Sequence, residues 1–97
     1  MKDLEWHLEL PVWTTVPGEP RFDLAPREVL RSPDDHHRRY ARIRSVDLSY
    51  QLDLFKNGDR WVIVDGYHRL ARHWLDESTE VPVRMHGDEC WEAVVNA

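Results

Sequence analysis

Val62-Ile63-Val64-Asp65-Gly66-Tyr67-His68-Arg69-Leu70 is the stretch best equipped for chemistry. An apolar run ends, a glycine follows, and a helical pattern begins with His and Arg in its first turn. The free backbone amides and the positive end of a helix dipole make such a junction a candidate anion site. Gly66 would let a phosphate approach the backbone with no Cβ in the way. His68 and Arg69 can donate to phosphate oxygens, and Asp65 can cap the helix or hold a metal ion. His68 and Arg72 are four apart, a spacing that suits one shared phosphate face. A capped amphipathic helix with solvated His and Arg is the competing reading of the same residues.

Positioning these groups needs a strand before the glycine and a helix after it. Arg60 to Val64 has almost no polar interruption, which predicts a central strand. Tyr67, Leu70, Ala71 and Trp74 fall at i, i+3, i+4 and i+7, one buried stripe of a helix from about Gly66 to Leu75. Leu48, Tyr50, Leu52 and Leu54 alternate with polar residues and read as a strand, and Asn57-Gly58 signals a hairpin after it. The expected core is therefore Leu52, Leu54, Val62 and Val64 packed under the helix stripe. Val81-Pro82-Val83-Arg84-Met85 reads as a further strand, at an edge or starting at Pro82, and Glu89 to Val95 as a final one.

Earlier in the chain, Leu4, Trp6, Leu8 and Leu10 alternate with Glu5, His7 and Glu9, the pattern of a half-buried strand at the sheet or its edge. Residues 11–20 form a Pro-rich connection. Arg21 to Leu24 is a candidate short strand, and Pro26 opens a short helix holding Val29 and Leu30. Ser32-Pro33-Asp34-Asp35 starts a helix to about Arg44, with Ser32 as cap. Arg38 and Arg42 share a face of that helix and are candidates to close over a phosphate group. His36 and His37 are adjacent, so their side chains diverge and they read as surface rather than as a metal pair.

Composition bounds the rest. The 97 residues allow one domain with one modest core. Hydrophobic residues at 41% and charged residues at 32% are globular values. No run approaches a membrane span, and the first residues lack a signal peptide's apolar segment, so the expectation is a cytoplasmic protein with no membrane partner. One cysteine, Cys90, excludes an internal disulfide framework. Five tryptophans point to a core built on large rings. The net charge is −5, yet residues 21–44 hold seven of the eleven arginines against four acids. An acidic total disfavours non-specific nucleic-acid binding and leaves room for a local anion site.

Asp65-Gly66-Tyr67-His68-Arg69-Leu70-Ala71 resembles the Gly-x-His/Arg-Arg signature of the ParB/sulfiredoxin superfamily. Ser49 to Leu54 is similar to the strand before that family's hairpin, and Val81-Pro82-Val83-Arg84 to the strand after its helix. Phe22 to Leu30 is similar to its opening strand and helix. The resemblance covers about 65 residues, 22–86, with residues 1–20 as an addition of a strand and connection. It implies an α+β fold, a small mixed sheet with two or three helices, and a nucleotide-phosphate site. Carried over, Gly66, Tyr67, His68, Arg69 and Arg72 would hold phosphate oxygens, Asp65 and His68 would be catalytic, and Asp65 would bind Mg²⁺.

ATP or another nucleotide would be the ligand, in phosphoryl transfer to a small-molecule or protein acceptor or in nucleotide hydrolysis. Tyr67 stands where a sulfiredoxin carries its reactive cysteine, so sulfinic-acid repair is not expected. The residues after Gly66 also depart from the partition proteins of the family. A ParB-like nuclease or DNA-binding accessory, and a non-catalytic interaction module, are the alternatives.

Overall fold

Pro26 fixes the first turn of α1 (Pro26–Arg31), as its preset backbone favours. The computed structural model describes residues 4–15, 22–87 and 90–96. It contains two further helices, α2 (His37–Ser45) and α3 (Tyr67–Leu75). The strands are β1 (Leu52–Asn57), β2 (Arg60–Asp65), β3 (Glu80–His86) and β4 (Cys90–Asn96). The sheet order is β2-β1-β3-β4. β1 and β3 are parallel, and the outer pairs are antiparallel. The fold is α+β, a four-stranded mixed sheet with three helices. No helix among the described residues is long and apolar enough to cross a membrane.

The core lies between the helices and one sheet face. Leu52, Leu54, Ile63, Val81 and Val83 meet Val29, Ile43, Leu70 and Ala71 there. The period of two puts Leu52 and Leu54 inward and leaves Phe55 exposed on the other face. The hairpin turn is Gly58-Asp59, since Asn57 pairs with Arg60. Gly58 takes φ 64°, which fits a type II′ turn with glycine first.

Residues 4–10 are not a strand: Glu5–Glu9 is a 3₁₀ helix. Leu4 and Leu8 sit one helical turn apart and are both buried. Alternation over seven residues cannot separate that from a strand. The decisive residue is His7, which a strand would have exposed. It is fully buried, with Nδ1 3.1 Å from the Leu4 carbonyl and Nε2 accepting the Ile63 N–H at 3.1 Å.

β2 is an edge strand, not a central one, and Val64 is 62% exposed on it. Its outward edge is blunted by side chains. His7 takes the Ile63 N–H, and the Tyr67 hydroxyl donates to the Ile63 carbonyl at 3.1 Å. The apolar run was a poor guide because local sequence does not report how many neighbours a strand has.

β1 starts only at Leu52. Asp47 accepts the Ser49 N–H at 2.9 Å, a local turn that keeps Leu48 to Tyr50 out of the strand. Pro82 is third in β3, an interior strand, and precedes the β1 ladder, which begins at Val83. The helix expected from Ser32 divides into a 3₁₀ turn, Pro33–His36, and α2, and Ser32 makes no side-chain cap bond. Leu24 forms an isolated bridge with Trp13 rather than a strand. Arg21 and residues 16–20 lie outside the described residues.

The buried side of α3 is Leu70, Ala71 and His73, with Tyr67 half-buried. Trp74 is at the margin, 36% exposed, with the Arg27 guanidinium 5.2 Å from its ring centre. Trp91 is also exposed, so the tryptophans are not all core. Trp74→Ala should cost about 1 kcal/mol in urea unfolding, well below the about 3–5 kcal/mol of a fully buried ring. A loss in that higher range would put the ring in the core.

Candidate functional site

Two segments are held side by side before any arginine is placed. The Trp13–Leu24 bridge aligns residues 13–15 with 22–24. Asp23 locks them further, accepting from the Thr15 N–H at 2.9 Å and the Thr15 hydroxyl at 2.8 Å. Opposite them run the Pro33–His36 turn and α2. Between the two lies a cleft of about 530 Å³. Thr14, Thr15 and Leu24 form one wall, and Asp35, His36, His37, Arg38, Arg39 and Arg42 the other.

α2 packs on α3, which brings Arg39 beside His68. Arg39 Nη1 lies 3.4 Å from His68 Nε2. A guanidinium only donates, so Nε2 accepts and the ring proton belongs on Nδ1. The His68 ring stacks on Trp13, with centres 4.5 Å apart and planes 26° apart. The Arg39 guanidinium also faces Trp13, 4.8 Å from its ring centre. Burial, then the charges of Arg42, Arg39 and Arg69, push the His68 pKa down to about 4. His68 is therefore neutral at pH 7 and serves as an acceptor that fixes one arginine. Burial and the neighbouring Arg42 lower the Arg39 pKa, but a guanidinium stays charged at neutral pH.

Among the described residues, no carboxylate lies within ion-pair distance of Arg38, Arg39, Arg42 or Arg69. Asp35 lines the cleft and Asp47 acts electrostatically on Arg69, but neither closes an ion pair; close positive charges left unpaired repel one another and raise the local potential. An anion placed among them would be held by forked, charge-assisted hydrogen bonds.

The residues around Gly66 are used differently from the expectation. Gly66 has φ 120°, and a Cβ there would lie 3.0 Å from Leu52 Cγ and 3.3 Å from Leu52 Cα. The bend and the close packing on β1 account for glycine without a phosphate. Asp65 is exposed at the end of β2 and does not cap α3, whose N-cap is Gly66 with no side-chain bond. Tyr67 is tied to the Ile63 carbonyl, and burial raises its pKa. Arg69 donates to the Gln51 carbonyl at 3.3 Å and lies 5.5 Å from the Tyr50 ring centre. Arg72 is engaged elsewhere: its Nε donates to both Asp76 carboxylate oxygens at 3.0 Å and its Nη1 to the Arg44 carbonyl.

Of the residues singled out from sequence, Arg38 and Arg42 line the cleft and His68 adjoins it through Arg39 and Trp13. Asp65, Gly66, Tyr67, Arg69 and Arg72 are not among its lining residues. Trp13, Thr14, Thr15, Asp35 and Arg39 were missed; His36 and His37, expected at the surface, line the cleft, with His37 exposed and His36 partly covered. Arg39 carried a weak signal, being one of four arginines between residues 38 and 44. Nothing local indicated which of them faces His68.

Cys90 is exposed on β4. Cys90→Ser is expected to leave ligand binding and any turnover unchanged in a direct assay, and loss of function in a folded variant would contradict this. Compared with models of known families, with curated proteins and with solved structures, the chain has no match.

Proposed function

We propose that this chain binds the phosphate chain of a nucleotide, ATP foremost, in the arginine-lined cleft. Use of the bound nucleotide in phosphoryl transfer or hydrolysis completes the reading. The observation that carries it is the Arg39–Arg42 cluster around a neutral His68 with no carboxylate in ion-pair distance among the described residues. A chain of net charge −5 that gathers uncompensated arginines at one cleft has a local use for them. Phosphoryl transfer is catalysed mainly by positioning and charge neutralisation, which such a cluster supplies. The resemblance around Asp65-Gly66-Tyr67-His68-Arg69 supports the same class of ligand.

In this reading Arg39 and Arg42 fork onto phosphate oxygens, and Arg38 approaches from the exposed side of the cleft. His68 orients Arg39 rather than touching phosphate through Nε2. The Thr14 hydroxyl is a further donor, whereas that of Thr15 is committed to Asp23. Mg²⁺ normally binds through one or two carboxylates plus substrate phosphates. Asp35 lines the cleft and is the carboxylate there that would share such an ion with the phosphates. Asp35 and the sequence-derived candidate Asp65 are the carboxylates to test, and the ion would offset charge on the phosphates.

Calorimetric titration of ATP and CTP, with and without Mg²⁺, tests the reading. Arg39→Ala and Arg42→Ala should each weaken binding about 10- to 100-fold, since a charge-assisted bond contributes about 1.5–3 kcal/mol. His68→Ala should weaken it less, through loss of the Arg39 orientation. Asp65→Asn should spare binding and lower phosphate release if Asp65 takes part in turnover. Wild type that binds neither nucleotide at millimolar concentration would replace this reading with the interaction module.

A further inference from the structure

A second cavity, of about 380 Å³, lies under the Glu5–Glu9 3₁₀ helix. The inner sheet face forms its floor: Leu54 on β1, Trp61 on β2, Met85 on β3 and Val95 on β4. Leu4 and Trp6 form the roof. Leu54 and Leu4 are buried core residues, whereas Trp61, Met85 and Val95 are only partly covered. Trp91 extends the aromatic wall, edge-on to Trp61 at 5.6 Å and 45% exposed. None of the helices α1 to α3 contributes a lining residue.

Its one charged lining group is Arg60. The Arg60 guanidinium lies over the Trp6 ring, 4.3 Å from its centre. Stacking of this kind uses the flat face of the guanidinium and leaves its N–H edge for a planar anion. No carboxylate among the described residues is within ion-pair distance of Arg60. The volume is at the small end of ligand pockets, which are typically about 300–1,000 Å³, mostly apolar, with few polar groups that fix orientation.

We propose that this cavity binds a small hydrophobic carboxylate, its apolar body against Trp61, Met85 and Val95 and its carboxylate on Arg60. The site is separate from the arginine-lined cleft: the two share no lining residue, and the proposal does not depend on nucleotide binding. The apolar walls supply affinity by exclusion of water. Arg60 supplies the discrimination, because a carboxylate accepts two parallel N–H bonds from a guanidinium while an alcohol or an ammonium cannot.

The test uses decanoate, decan-1-ol and decylamine, each below its aggregation concentration, titrated into the full chain by calorimetry and tryptophan fluorescence. Decanoate should bind with 1:1 stoichiometry at least 10-fold more tightly than the other two. Arg60→Gln should erase that preference. Met85→Trp should fill the floor and abolish saturable binding, with the far-ultraviolet dichroism retained. Because Met85→Trp can disturb packing, magnetic-resonance contacts between decanoate and the Trp61 indole and Met85 methyl in the wild type provide a second measure. Equal binding of the three probes, absence of those contacts, or no saturable binding of decanoate up to millimolar concentration would each overturn the proposal.

Discussion

Gly66→Val should unfold at much lower urea than the wild type, with a loss of about 3 kcal/mol or more. Two separate costs combine. The backbone at φ 120° is one that side-chain-bearing residues rarely adopt, and a β-branched residue tolerates it least. The added Cβ would also press on the Leu52 backbone and side chain, at 3.3 Å and 3.0 Å. Leu52 is fully buried and in the interior strand β1, so it cannot swing away. Gly66→Ala should lose less, about 2 kcal/mol, because it lacks the branch. The midpoint of equilibrium unfolding reads both values. If Gly66→Ala stays within about 0.5 kcal/mol of wild type while nucleotide affinity falls, the glycine serves ligand approach and not packing.

Mild acid should destabilise the fold before its carboxylates titrate. His7, His68 and His73 all have pKa values below the ordinary 6.5, each chiefly through burial. Arg60 adds to the effect at His7, and the arginines of the cleft add to it at His68. The folded chain therefore binds these protons more weakly than the unfolded chain. Their contribution is complete above pH 6.5 and is lost as pH falls from there toward the folded values, about 4 for His68.

His68 alone should account for about 1–2 kcal/mol by pH 5, allowing for solvent screening of a half-exposed ring. His7 has a structural reason to follow: its Nε2 accepts the Ile63 N–H, and protonation would set two N–H groups against each other. Urea unfolding at pH 7.5, 6.5, 5.5 and 5.0 should show little change down to pH 6.5 and falling stability below it, and His68→Gln should flatten part of the slope. Constant stability across that interval would mean that the three rings are open to water in the folded protein.

His7 and Arg39 mark where reading the chain residue by residue reaches its limit. The helix from Tyr67 to Leu75, the Pro26 helix, the β1–β2 hairpin and the strands around Val83 and Val94 were legible, because each depends on local preferences. Proline preset a first turn, glycine allowed a tight turn, and periods of two and 3.6 set the buried positions. The crowding of arginine into residues 38–44 was equally plain in the sequence.

Tertiary structure decided what local preference cannot encode. Strand neighbours follow from sheet order, so the apolar β2 could lie at an edge once His7 and Tyr67 satisfied the Ile63 backbone. Short alternation in residues 4–10 matched two periods, and burial of His7 against β2 selected the helical one. Gly66 drew attention as a phosphate contact, and a packing constraint on the same residue comes from Leu52, fourteen positions earlier in the chain. Packing of α2 on α3, with Trp13 stacked on His68, selected Arg39 as the arginine beside His68. Such contacts are set by the shape of the whole core, and distance along the chain carries almost no information about them.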